Sequence, residues 1–124
     1  AKEYISALKT KTPSENALAK NLSGGNQQKV VIAKWLAAKV KILIMDEPTR
    51  GIDVNAKAEI YMLMQQFVEQ GGSIIMISSD LPEILGVSHR VLVMREGEVT
   101  AILDNENLTE DEIMKYSSFN SGAI

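Results

Sequence analysis

Two stretches of this 124-residue chain combine residue types and spacing suited to phosphate chemistry. In Asn21-Leu22-Ser23-Gly24-Gly25-Asn26-Gln27-Gln28-Lys29, a serine and two glycines stand where a helix would begin. Glycines let backbone N–H groups approach an anion, the helix dipole points its positive end there, and the Ser23 hydroxyl adds a donor. A plain capped helix with a glycine entry turn would use the same residues. In Lys41-Ile42-Leu43-Ile44-Met45-Asp46-Glu47-Pro48, an apolar run ends in two acids. A parallel strand of that kind delivers its carboxylates to the sheet edge where ligands bind. Asp46 is then placed to hold Mg2+ through water, and Glu47 to orient or deprotonate an attacking water. Two solvated acids in a strand-to-helix turn would look the same. In Thr49-Arg50-Gly51-Ile52-Asp53, helix capping is reason enough for the aspartate.

The elements that must position these residues follow from periodicity. Residues 1–11 read as the end of a helix, broken by Thr12-Pro13-Ser14, with Ser14 able to cap a short second helix holding Ala17 and Leu18. Ser23 opens a helix to about Ala38, apolar around much of its circumference and therefore expected to be largely buried. The run ending at Asp46 suits a strand buried on both faces. A helix from Val54 to Glu69 turns Ile60, Leu63, Met64, Phe67 and Val68 inward and stops at Gly71-Gly72. Ser73 to Ser78 is a second buried strand, and Asp80 caps a short helix. Residues 91–94 and 99–103 form a hairpin about Glu96-Gly97. Thr109-Glu110-Asp111-Glu112 is a capping box for a last helix, ahead of a frayed Ser-Gly-rich tail. The five methionines from Met45 to Met94 are expected in the core. The order implies an α/β fold with a mainly parallel sheet, although so few strands leave its edge without neighbours.

Composition narrows the function classes. A net charge of −3 argues against an electrostatic nucleic-acid binder, and no nucleic-acid partner is expected. The absence of cysteine excludes disulfide and thiolate-metal scaffolds. No apolar run reaches the ~20 residues that span a bilayer, and Ala1-Lys2-Glu3-Tyr4 lacks a signal pattern, so a membrane role would come through a partner.

Together, Leu22-Ser23-Gly24-Gly25-Asn26-Gln27-Gln28, Ile42 through Pro48, and Ile52-Asp53 resemble the signature loop, Walker B strand and D-loop of the ATP-binding-cassette (ABC) ATPase family, in the family's order and separation. With Ser78-Ser79-Asp80-Leu81-Pro82-Glu83, they are similar to the second ATPase domain of fused importers for monosaccharides such as ribose, galactose and xylose. The resemblance implies a partial three-layer P-loop NTPase-type fold. Residues 1–22 would end its helical subdomain, 23–103 would hold the signature, Walker B and D-loop core, and 104–124 the C-terminal helix and tail. It implies ATP and Mg2+ as ligands, with Ser23, Gly24, Gly25, Asn26, Gln27, Asp53 and Ser79 at the nucleotide, Asp46 at the metal and Glu47 as catalytic base. It implies a head-to-tail second ATPase domain, membrane permease subunits, an indirectly coupled sugar-binding protein, and a peripheral place on the cytoplasmic face of the membrane. Non-transport ABC ATPases of chromosomes or DNA repair fit less well, since neither coiled-coil heptads nor a basic face is present. A regulatory module that has lost the chemistry fits poorly with the Asp46-Glu47 pair.

Two departures matter. No G-x-x-x-x-G-K-[ST] phosphate loop occurs, so the 124 residues are expected to be a fragment that binds ATP poorly and hydrolyses none alone. The family's γ-phosphate histidine is Ser79 here. His89, the sole histidine, does not match that motif and reads as a surface or hydrogen-bonded loop residue.

Overall fold

Alternating periodicity becomes alternating elements in the computed structural model, which describes residues 2–118. In order they are α1 (Lys2–Ala7), α2 (Gly24–Ala37), β1 (Ile42–Asp46), α3 (Val54–Glu69), β2 (Ser73–Ile77), α4 (Leu81–Val87), β3 (Arg90–Arg95), β4 (Glu98–Asp104) and α5 (Glu110–Ser117). The helix expected after Ser14 does not form. The Ala17 amide bonds the Ser14 carbonyl in a single turn, and a 3-10 turn, Ala19–Asn21, leads into α2. So short a stretch after Pro13 cannot repay helix nucleation. The chain divides into two compact units, one ending at Ile77 and the other starting at Ser78.

In the first unit, β1 and β2 pair in parallel, with Ile42 opposite Ser73 and Asp46 opposite Ile77. Parallel neighbours need a crossover, and α3 supplies it. Asp53 caps α3 by accepting the Ala56 N–H at 3.0 Å. Gly71 ends it in the left-handed region (φ 89°), so that the Gly72 N–H reaches back to the Phe67 carbonyl at 3.0 Å. Ile60, Leu63, Met64 and Phe67 are buried with Leu43, Met45, Ile32 and Leu8. Each such side chain contributes about 1.5–3 kcal/mol relative to exposure. Val68, expected inside, is exposed.

Three expectations about burial need correcting. Only Leu43 and Met45 of β1 are buried; Ile42 and Ile44, with Ile75 and Ile77 of β2, are 51–66% exposed. The run is apolar on both faces, but only one face of this sheet is covered. On α2 only Gly25, Lys29 and Ile32 are buried, while Val30, Val31 and Trp35 are exposed, with the Lys34 ammonium 5.5 Å from the Trp35 ring centre. Among the methionines expected in the core, Met45 and Met64 are buried but Met62 and Met94 are exposed.

In the second unit, β3 and β4 form an antiparallel hairpin from Arg90 opposite Asp104 to Arg95 opposite Glu98, irregular between Val93 and Met94. Glu96 and Gly97, both at positive φ, make its turn. Val91, Val93 and Ile113 form the core, with Leu81, Ile84, Leu85 and Leu103 packed against them. The capping box at Thr109 and Glu112 starts α5. The tail expected to fray lies largely outside the described residues.

Candidate functional site

The glycine-rich stretch sits at the start of α2, and its two glycines answer different demands. A Cβ on Gly25 would lie 2.6 Å from the Ala56 Cβ and 3.6 Å from the Ile52 Cγ2, so this glycine lets α2 approach the start of α3. A Cβ on Gly24 would meet nothing within 4 Å. Ser23 occupies the N-cap position in extended conformation, yet its hydroxyl does not cap the helix. It accepts instead from Asn26 Nδ2 at 2.9 Å, while Asn26 Oδ1 accepts the Lys11 N–H at 2.9 Å. Gln27 Nε2 donates to the Leu22 carbonyl at 2.8 Å. Asn26 and Gln27 therefore brace the loop, and the first-turn amides of α2 have no side-chain cap from Ser23, beside an open Gly24. A helix start so arranged can receive an anionic oxygen.

The acidic pair lies where β1 ends. Asp46 is the last strand residue and is exposed; Glu47 is half-buried and sits at φ 46°. A left-handed backbone costs a residue with a side chain about 1–3 kcal/mol, and such residues gather at functional sites. The surroundings enforce it. The Glu47 N–H bonds the Ile77 carbonyl at 2.8 Å, extending the ladder past Asp46, and the Arg50 N–H returns to the Glu47 carbonyl at 3.2 Å. Pro48 and Thr49 are buried beneath the turn. The chain thus bends sharply between the two carboxylates.

Asp46 offers one accessible carboxylate, and no group of three metal-ligating residues occurs among the described residues. That donor set fits Mg2+ that keeps its waters and is held chiefly by a nucleotide's phosphates; it does not fit a metal caged by protein. Asp53, expected at the nucleotide, spends one carboxylate oxygen on the α3 cap.

Ser79 is exposed in the second unit, on the short loop before α4. The Ser78 hydroxyl donates to the buried Glu83 carboxylate at 2.5 Å and accepts the Asp80 N–H at 3.1 Å, while Asp80 Oδ1 accepts the Glu83 N–H at 3.1 Å. Each end of this loop is thereby tied to the first turn of α4. His89 is exposed; its carbonyl accepts the Asn105 N–H at 2.9 Å.

Sequence reasoning missed two residues in this framework. Lys29, the last residue of the glycine-rich stretch and given no role there, is 2% exposed and ion-paired to Glu59. Glu83, quoted in the Ser78–Glu83 stretch but given no role there, is a buried acceptor. An acid three residues after an Asp cap could have been read as loop-stabilising; no sequence signal marks a lysine as buried.

A family model described as "ABC transporter" matches residues 1–50. The ribose import ATP-binding protein RbsA of Clostridium tetani is 56% identical over 115 residues, covering 93% of this chain and 23% of that protein. The xylose import ATP-binding protein XylG of Photobacterium profundum is 57% identical over 112 residues, covering 90% and 22%. The chain thus spans under a quarter of the length of these two relatives. Among solved structures, the dimeric post-hydrolysis state of the ATP-binding cassette MJ0796 bound to ADP and Pi is similar, with a TM-score of 0.73 and 26% identity, covering 84% of this chain and 45% of that one. The ADP conformation of MJ1267, an ATP-binding cassette of an ABC transporter, aligns with a TM-score of 0.73 and 25% identity, covering 91% and 42%.

Proposed function

We propose that the chain belongs to the ABC transporter ATPase family, whose model matches residues 1–50, and that it supplies the signature loop, Walker B strand and D-loop of the ATPase subunit of a monosaccharide importer. The observation that carries this reading is the start of α2. Gly24 lies open, Gly25 is pressed onto α3, and the Ser23 hydroxyl is not used to cap the helix. The printed names of the relatives, ribose and xylose import ATP-binding proteins, support the substrate class.

In this reading the subunit works as a head-to-tail pair of ATPase domains. The Ser23 hydroxyl and the amides at Gly24 and Gly25 close over ATP held by the partner domain's phosphate loop, while Asn26 and Gln27 keep the loop in shape. Asp46 would hold Mg2+ at this domain's own nucleotide, where the metal would neutralise phosphate charge. Glu47 orients the attacking water and accepts its proton. Asp53 fixes the D-loop by capping α3. Ser79, where the family places a histidine, cannot share charge with a γ-phosphate as an imidazole would, so this domain's own site is slow or silent. The subunit lies on the cytoplasmic face of the membrane against permease subunits, with a sugar-binding protein acting through them. No helix among the described residues is long and apolar enough to cross a membrane itself.

The test is ATPase activity of the full-length protein reconstituted with its permease and binding protein, against panels of monosaccharides, amino acids and metal chelates. Stimulation by a pentose or hexose is expected. Stimulation only by another class would refute the substrate assignment.

A further inference from the structure

The one buried cation among the described residues that meets the site's framework is Lys29. Its ammonium forms an ion pair with the Glu59 carboxylate of α3 and donates to the Lys9 carbonyl at 3.3 Å, just beyond α1. Lys9 itself has a left-handed backbone (φ 47°). One turn before Lys29 on the same face of α2 stands Gly25, in contact with Ala56; three residues after Ala56 on α3 stands Glu59. Spacings of four and three residues stack on helix faces, so the steric contact and the ion pair form two successive rungs between α2 and α3.

A buried ion pair is seldom more stabilising than apolar packing of the same volume, because desolvation offsets the attraction. It does have one geometry, whereas an apolar contact tolerates sliding. We infer that Lys29 is a positioning residue: its ion pair with Glu59 locks α2 to α3, so the signature loop at the start of one helix and the D-loop at the start of the other keep a fixed spacing and move as one body. This rests on the reading of Ser23–Gly25 as a signature loop acting on the partner's ATP.

The test uses the full-length protein. Lys29→Met keeps the stem and removes the charge, Glu59→Gln keeps the shape and removes the partner, and Lys29→Arg keeps the charge. Misplacement of a reacting group by about 1 Å costs up to roughly a hundredfold in rate, so Lys29→Met and Glu59→Gln should each lower kcat by about ten- to a hundredfold. The Kd for a non-hydrolysable ATP analogue in the resting protein should not change, because the phosphate loop that binds it is elsewhere. The double variant should be no slower than either single one, and Lys29→Arg should retain most of the turnover. A merely structural role would lower the folded fraction, followed in parallel by circular dichroism, and leave kcat per folded molecule intact. If Lys29→Met does not fold, Glu59→Gln at its half-exposed position decides the matter, and unchanged kcat there overturns the inference. Gly24→Asp runs alongside. If it stops turnover while Glu59→Gln does not, only the positioning role fails. If Gly24→Asp is tolerated, the signature reading fails and takes this inference with it.

Discussion

Gly24 and Gly25 are neighbours of one type with opposite surroundings, and that contrast can be measured. Replacing Gly25 with alanine puts a methyl 2.6 Å from the Ala56 Cβ. Overpacking of that kind costs about 1–3 kcal/mol, which should appear as a lower denaturant midpoint. Gly24→Ala meets open space on a helical position, so its stability should stay level or rise by up to about 1 kcal/mol. Equal losses at both positions would contradict the packing described here. At Asp53, loss of the cap in Asp53→Ala should cost about 1 kcal/mol, and Asp53→Asn should restore most of it; a thermal shift series would separate them.

At the scale of elements, the aspartate and threonine caps and the turns were legible in the sequence; the serine caps expected at Ser14 and Ser23 do not form, and covered faces were not legible. Asp53, Asp80 and the Thr109–Glu112 box all form where local residue types require, because a cap depends on residues within three positions of itself. Burial depends on what packs from elsewhere. The apolar residues of α2 and β1 therefore suggested more cover than α3 provides, and a lysine proved more buried than a tryptophan on the same helix. The α5 cap also predicts a pH response. The Thr109 hydroxyl first, and then its amide, hold the exposed Glu112 carboxyl below its ordinary range. A depressed carboxyl contributes stability that is present above its unfolded pKa and lost as pH falls through the lower folded value. Acidification should therefore loosen α5 below the usual glutamate range, and Thr109→Ala, which removes the hydroxyl but keeps the amide, should move the Glu112 titration part of the way back toward its ordinary range. An NMR titration with no difference between the two proteins would contradict the capping box.

For the whole molecule, the outstanding feature is the bare face of Ile42, Ile44, Ile75 and Ile77 on a parallel sheet, an architecture that normally has both faces covered. The 124-residue chain by itself should expose that face to an apolar dye and associate as its concentration rises. Ile44→Lys with Ile75→Glu should reduce both effects, whereas unchanged dye binding would show that the face is covered. The fold class was readable because the motifs lie in sequence order, whereas the exposure of this face was not, because cover depends on what packs against a strand from elsewhere.

Under the proposed function, this domain serves chiefly by lending its signature loop to a partner's ATP. The most direct test is ATPase turnover of the full-length protein carrying Gly24→Asp in one sample and Glu47→Gln in another. Gly24→Asp should abolish turnover, by placing a carboxylate where phosphate oxygens must approach, and Glu47→Gln should leave most of it. Loss of turnover in both would contradict the division of labour and assign this domain's own site full chemistry despite Ser79.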